Sequence, residues 1–141
     1  MYNCVVLKKL LTSDKVYISK SGIPDAGRGV YARRDIKKGE IVERCPIIEV
    51  PKHDMSNLKE SILVPYFFYF GKNKERLAIA LGFGSIYNHS DKPNSTYKIK
   101  SKEKLIDFVA LTDIKKDDEI TFNYYNRVNL KDKKRPLWFE V

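Results

Sequence analysis

Cysteine, histidine and tryptophan are scarce in this 141-residue chain, with two, two and one of each. Cys4 and Cys45 stand far apart in no paired spacing, so neither a disulfide framework nor a zinc ribbon is indicated, and a reducing, intracellular compartment is the expectation. His53 and His89 are the only other soft ligands, in no helical or hairpin spacing, which argues against a metal site. No apolar run approaches membrane-spanning length, and the short N-terminal one contains Lys8 and Lys9, so nothing marks secretion or insertion. Ser85 lacks the Gly-x-Ser-x-Gly frame of a hydrolase elbow. The glycine-rich stretch at residues 22–29 is not a P-loop either: Arg28 and Gly29 stand where Lys and Ser or Thr are required, and a strand follows in place of a helix.

What is present is charge and tyrosine. Hydrophobic residues make up 43% and charged residues 32%, a globular composition with length for one domain. The formal net charge of +9 favours contact with nucleic acid, an anionic surface or an acidic partner, although each local cluster, at residues 98–104 and 131–135, is also what a solvated face looks like. Nine tyrosines and seven phenylalanines suit either pleated β surfaces or a narrow aromatic site.

Apolar runs of strand length dominate. Residues 5–10 and 16–19 predict a hairpin, and the glycine-rich loop feeds a strand at 30–32. Residues 41–50 are strand-rich, interrupted by Pro46 and closed by Pro51, which suits a bend or an edge and not a central uninterrupted strand. Ser56 is placed to cap a short helix over 58–64 that Pro65 would stop. Five consecutive aromatics follow at 66–70, most of them expected in the core, then strands at 77–81, 104–111 and 120–125. An internal echo, ARRDIKKGEI at 32–41 and ALTDIKKDDEI at 110–120, predicts two like corners. In each, Ile36 or Ile114 plugs the core while Gly39, or Asp117 and Asp118, takes the turn.

Residues 82–97, GFGSIYNHSDKPNSTY, fit no ordinary element. Their Asn, Asp, Ser, Gly and Pro favour turns, while Phe83, Ile86, Tyr87 and Tyr97 are large apolar anchors. A loop that is both anchored and irregular presents polar tips to a ligand; the alternative is a tight turn whose asparagines are satisfied locally.

Four pieces then stand in order: the GRG loop at 27–29, the aromatic run from Tyr66, YNHSDKPN at 87–94, and EITFNYY at 119–125. Together they resemble the SET-domain protein lysine methyltransferases, closest to the minimal viral and bacterial members without flanking domains. The resemblance implies a mainly β fold of several small sheets with little helix and a C-terminal pseudoknot. It implies one domain over 1–141, with a core of about residues 22–125 and a segment at 126–141 closing the cofactor site. It further implies S-adenosyl-L-methionine as cofactor, leaving as S-adenosyl-L-homocysteine, and no metal. Carried over by position, Gly27, Arg28 and Gly29 would contact the methionine part of that cofactor, and Asn88 and His89 its amino group and adenine. Tyr124 would be the catalytic tyrosine, also touching the cofactor, and Tyr66 and Tyr97 would line the lysine channel. The family often has Cys where this chain has Asp91, and no cysteine-rich segment follows Tyr125, so Trp138 or Phe139 would cover the adenine unless they form a simple hydrophobic plug.

The implied partner is a protein carrying the target lysine, a histone or another chromosomal or basic protein, with nucleic-acid contact through the basic surface. The implied place is the cytoplasm or the nucleus, on chromatin, as a monomer or homodimer. The rival reading is a catalytically weak SET-like module that binds DNA or a protein partner through that surface.

Overall fold

A computed structural model describes residues 9–71 and 76–125. Among these, the strands are β1 (Val16–Lys20), β2 (Arg28–Ala32), β3 (Ile41–Val50), β4 (Phe67–Phe70), β5 (Arg76–Ala80), β6 (Asn88–His89), β7 (Ser95–Lys100), β8 (Leu105–Ala110) and β9 (Glu119–Phe122). They form two sheets, one in the order β1-β2-β9-β6 and one in the order β4-β5-β3-β8-β7. The fold is mainly β with little helix, as the sequence predicts, and no helix of the described residues is long and apolar enough to cross a membrane.

Several local expectations are corrected. The hairpin at the start pairs β1 with β2, not with residues 5–10; residues 9–12 carry no strand, and 5–8 lie outside the described residues. The loop between β1 and β2 closes on Ser21 N donating to Gly27 O at 2.9 Å, with Gly27 held at φ +74°, where a side chain would be strained. The predicted helix over 58–64 is a single turn, α1 (Met55–Leu58), with Ser56 inside it. The helix goes no further because the apolar residues beyond it find no surface to cover them: Ile62 is 86% exposed, and so short a helix gains little from propensity alone. Strand β3 is central, not an edge. Pro46 is its last residue paired with β8 and Ile47 its first paired with β5, so the missing N–H falls where the strand changes partner. Strand β7 sits where a basic cluster was read, because Lys98 and Lys100 alternate with Tyr97 and Ile99, which pack against the core.

The echoed corners do more than was expected of them. Ile36 and Ile114 are both buried and pair with each other, N to O, at 2.8 and 2.7 Å. The flanking bonds repeat about a local two-fold. Asp35 Oδ1 accepts from Lys116 N and Asp113 Oδ1 from Lys38 N, both at 2.9 Å. Gly39 N donates to Ala110 O at 2.8 Å, and Asp117 N to Ala32 O at 2.7 Å. Each corner completes the other, and together they fix where β2 and β9 leave the core.

That core joins the two sheets through Val30, Ala32, Val42, Cys45, Ile106, Phe108 and Ile120. Aromatic rings fill its centre, with Tyr87 stacked on Phe108 at 4.3 Å and Phe68 on Phe122 at 5.8 Å between centroids. Of the five consecutive aromatics, Phe67, Phe68 and Phe70 are buried and Tyr66 is 36% exposed.

The segment β9 and beyond passes beneath the 88–95 loop, which forms the pseudoknot. On one side β9 pairs antiparallel with β2, on the other parallel with β6. Beyond β6 the loop contains Pro93, which has no N–H to give, and side chains take over the pairing. Asn94 Nδ2 donates to Glu119 O and Asn94 Oδ1 accepts from Thr121 N, both at 2.9 Å, while Ser95 Oγ donates to Thr121 O at 2.8 Å. Asn94→Ala strands one donor and one acceptor of β9 together. We expect a loss of about 2–4 kcal/mol in urea denaturation, with Asn94→Asp, which loses only the donor, falling between the two.

Candidate active site

Two cavities meet at the pseudoknot. The larger, about 160 Å³, is lined by Ala26, Arg28, Pro65, Tyr66, Ser85, Ile86, Asn88 and Tyr124. The smaller, about 40 Å³, is lined by Pro65, Tyr66, Phe68, Tyr69, Ser85, Tyr87, Tyr97, Phe122 and Tyr124 among others. Tyr66, Ser85, Pro65 and Tyr124 belong to both. The first is polar at one end; the second is walled by rings and has no carboxylate in its lining.

The polar end is built around Asn88. Its Nδ2 donates to Arg28 O at 2.7 Å and to Glu119 Oε1 at 2.9 Å, with Ser21 Oγ at 3.3 Å, so one carboxamide ties β6 to the first residue of β2 and the first of β9. Arg28 enters the cavity lining, whereas Gly27 and Gly29 flank it without lining it. Gly29 has a different duty: a Cβ there would overlap the Glu119 carboxylate, so this close approach requires glycine.

His89 serves the threading. Its Nδ1 accepts from Tyr124 N at 3.0 Å, which fixes that nitrogen as unprotonated, and Nε2 faces Asp91 Oδ1 at 3.5 Å. Its ring also meets those of Tyr124 and Tyr125 edge-on. The residue lies one step from the larger cavity and positions the backbone that presents Tyr124.

Tyr124 stands on the wall between the chambers. Its hydroxyl donates to Tyr87 O at 3.0 Å, leaving the oxygen lone pairs for a ligand. Burial first, and the neighbouring Tyr66 second, push its phenol up to about 12. Tyr97 faces Phe68 at 5.1 Å and Phe122 at 5.4 Å, both edge-on, and completes the aromatic wall.

The SET-domain model matches residues 27–125. The chain belongs to the SET-domain family. The chain is 29% identical over 115 residues to a Schizosaccharomyces pombe protein named histone-lysine N-methyltransferase, H3 lysine-37 specific, covering 81% of this chain and 71% of that protein. A crystal structure of a candidate histone methyltransferase of Plasmodium falciparum superposes with a TM-score of 0.64 at 35% identity, covering 78% of this chain and 92% of that one. A chain of the Chaetomium thermophilum Polycomb repressive complex 2, solved bound to S-adenosylmethionine, gives a TM-score of 0.68 at 25% identity, over 84% of this chain and 16% of that one.

Of the residues singled out in the sequence, Arg28, Asn88, Tyr66, Tyr97 and Tyr124 line the cavities of the SET domain, and Gly27, Gly29 and His89 adjoin them. Trp138 and Phe139 lie outside the described residues, as do Cys4 and residues 131–135. No group of three or more His, Cys, Asp or Glu among the described residues is arranged to hold a metal ion.

Sequence reasoning missed Ser21, Glu43, Ser85 and Glu119. Glu119 opens the EITFNYY motif, and Ser85 lies inside the 82–97 stretch, so their neighbourhoods were marked although their roles were not. Glu43 carried no signal. It is a buried carboxylate on β3 that accepts from Tyr87 OH at 2.9 Å and Phe83 N at 3.0 Å, holding the turn before Asn88.

The Tyr124 shift has a definite sign. Between about pH 10 and pH 12 the phenol stays neutral in the fold but ionises in the unfolded chain, so its contribution to stability is complete below that window and is lost as pH rises through it. With ¹³C-labelled tyrosine, the resonance that disappears in Tyr124→Phe is expected to hold its neutral-phenol shift at about pH 10.5, where a free tyrosine is largely ionised. A midpoint near 10 for that resonance would contradict the assignment.

Proposed function

We propose that this SET domain transfers a methyl group from S-adenosylmethionine to the ε-amine of a lysine in a protein, with a histone or another chromosomal protein as substrate. The observation that carries the reading is the pair of cavities sharing Tyr124 and Tyr66, one polar and one aromatic. The larger suits a zwitterionic nucleoside: the Asn88 carboxamide and the backbone at Arg28 offer hydrogen-bonding groups where its amino-acid end would lie. When bound, S-adenosylmethionine supplies an electrophilic methyl on a cationic sulfur. The named relatives support the same assignment, as a histone-lysine methyltransferase and a complex bound to this cofactor.

The nucleophile must be neutral, yet a lysine of pKa about 10.4 is almost wholly charged at pH 7, a cost of roughly 4–5 kcal/mol. A ring-walled channel lined by no carboxylate lowers that pKa by desolvation, and a nearby positive charge lowers it further. Tyr124, whose own phenol is held neutral, is not the base. Its hydroxyl is oriented by the bond to Tyr87 O, so its lone pairs can accept from the amine or the polarised methyl and align the two. Ser85 and Tyr66, common to both chambers, would set how close the amine comes.

A second reading, a basic module that docks on DNA, is favoured by the paired corners, which bring the exposed Lys37, Lys38, Lys115 and Lys116 to one end of the molecule. It is compatible with the first if the substrate is chromosomal.

Incubation with isotopically labelled S-adenosylmethionine and a panel of basic proteins that includes histone H3, read by mass spectrometry, is expected to locate added methyl groups on lysine. Tyr124→Phe is expected to keep donor affinity within a few-fold by calorimetry while losing most turnover, because the hydroxyl acts on the reacting atoms and not on the donor's anchoring end. Undiminished turnover in that variant would remove Tyr124 from its role. Salt-sensitive DNA binding with no donor uptake would favour the second reading over the first.

A further inference from the structure

Glu119 is placed beside the larger cavity without lining it, and the transfer as described makes no use of it. Its carboxylate accepts from Ser21 Oγ at 2.8 and 3.0 Å, from Gly22 N at 3.1 Å and from Asn88 Nδ2 at 2.9 Å. The Tyr31 hydroxyl is 3.4 Å away but gives its proton to Lys20 O at 2.6 Å. Three chain segments, at residues 21–22, 88 and 119, are therefore joined through one side chain.

The consequence concerns which way round Asn88 sits. A carboxylate and a peptide carbonyl only accept, so the end of the Asn88 carboxamide that stands 2.9 Å from Glu119 and 2.7 Å from Arg28 O must be the NH₂ end. It has two hydrogens, and both are committed. The opposite end, Oδ1, receives no hydrogen from any described residue, and Asn88 lines the cavity. Were the carboxamide reversed, two acceptors would face a third at close range. Glu119 thus makes one orientation much the better one and adds a negative charge behind it.

We infer that Glu119 is a positioning residue that locks the Asn88 carboxamide with Oδ1 turned to the ligand, so that the site selects a nucleoside donor bearing an α-ammonium group over one lacking it. This rests on the methyl-donor reading above. Its content beyond that reading is the source of the selectivity: a carboxylate that need not touch the ligand fixes the polarity of the amide that does. Glutamine at the same place cannot substitute. It can present an NH₂ of its own to Ser21, Gly22 or Asn88, which leaves Arg28 O as the one remaining group that holds the Asn88 carboxamide in this orientation.

The test compares S-adenosylhomocysteine with its des-amino analogue, S-adenosyl-4-thiobutyrate, by calorimetry on the full chain. For the unaltered protein we expect the amino-bearing ligand to bind at least about tenfold tighter, as a charge-assisted hydrogen bond predicts. In Glu119→Gln that ratio is expected to fall at least about threefold, through loss of affinity for S-adenosylhomocysteine alone, with the des-amino analogue nearly unmoved. A purely structural role would weaken both ligands by the same factor, and that result, or an unchanged ratio, overturns the inference. Ser21→Ala removes one donor to the carboxylate and leaves the β1–β2 pairing intact. It is expected to lower the ratio about threefold, so a Glu119→Gln chain that fails to fold still leaves the idea open to refutation by an unchanged ratio in Ser21→Ala. If the unaltered protein takes up neither ligand, the methyl-donor reading itself fails, and this inference with it. Uptake by the unaltered protein with its discrimination intact in both variants sinks the positioning role alone.

Discussion

The grip of the Asn94 carboxamide on the backbone of β9 is the constraint from which the rest of the structure follows. A strand threaded under a loop has backbone groups on the loop side that no neighbouring strand can satisfy, and leaving them buried without partners would cost more than most single contacts return. The chain meets this with side chains that imitate a ladder: Asn94 in both senses, Ser95 on Thr121 O, and His89 on Tyr124 N. Once those bonds exist, Asn88 and Tyr124, which are far apart in sequence, stand on one cavity. The site is thus a by-product of satisfying a threaded strand, and its precision comes from the same bonds.

Polar groups elsewhere in the interior serve the same end. Glu43 anchors the turn that delivers Tyr87 and Asn88, and Gly82 is needed beside it because a Cβ would come within 2.6 Å of its carboxylate. Burial, with Glu43 close by, pushes the Cys45 thiol well above its ordinary value and also raises the Tyr87 phenol. Both stay neutral beside the carboxylate, which therefore faces hydrogen-bond donors and no second charge. Asp107, equally buried, is held differently, by Arg44 at 2.9 and 3.1 Å and Lys100 at 3.3 Å on the outer side of β8. Glu43 thus ties a turn to β3, whereas Asp107 joins β8 to its neighbours β3 and β7 through Arg44 and Lys100.

Much of this was legible in the residues, and what was not has physical reasons. The repeated DIKK was visible as two corners with buried isoleucines, but that the corners bond to one another depends on tertiary pairing that a local string does not contain. The GRG, NHS and EITFNYY pieces pointed to Arg28, Asn88 and Tyr124 through their resemblance to the SET-domain family, whereas local chemistry alone left residues 82–97 open between a ligand loop and a tight turn. Strand β7 was missed although Lys98 and Lys100 alternate with Tyr97 and Ile99 in the period of a half-buried strand, because the lysines crowded into 98–104 read first as a charge cluster. The predicted helix over 58–64 failed because its apolar residues, Ile62 above all, meet no surface of the fold that would bury them, which a local string does not reveal. Pro46 misled because a strand that exchanges partners midway tolerates a missing N–H at the exchange. Glu43 was invisible because one glutamate in a strand reads as solvent-facing until the strand's central place is known.

Threading also orders events in time. The loop over β9 is complete by Ser95, but neither cavity has its wall at Tyr124 until that residue has left the ribosome and slipped beneath it. A nascent chain paused between those two points would already own most of its strands with both cavities still open on that side. The two chambers are therefore finished together, by a single late topological step.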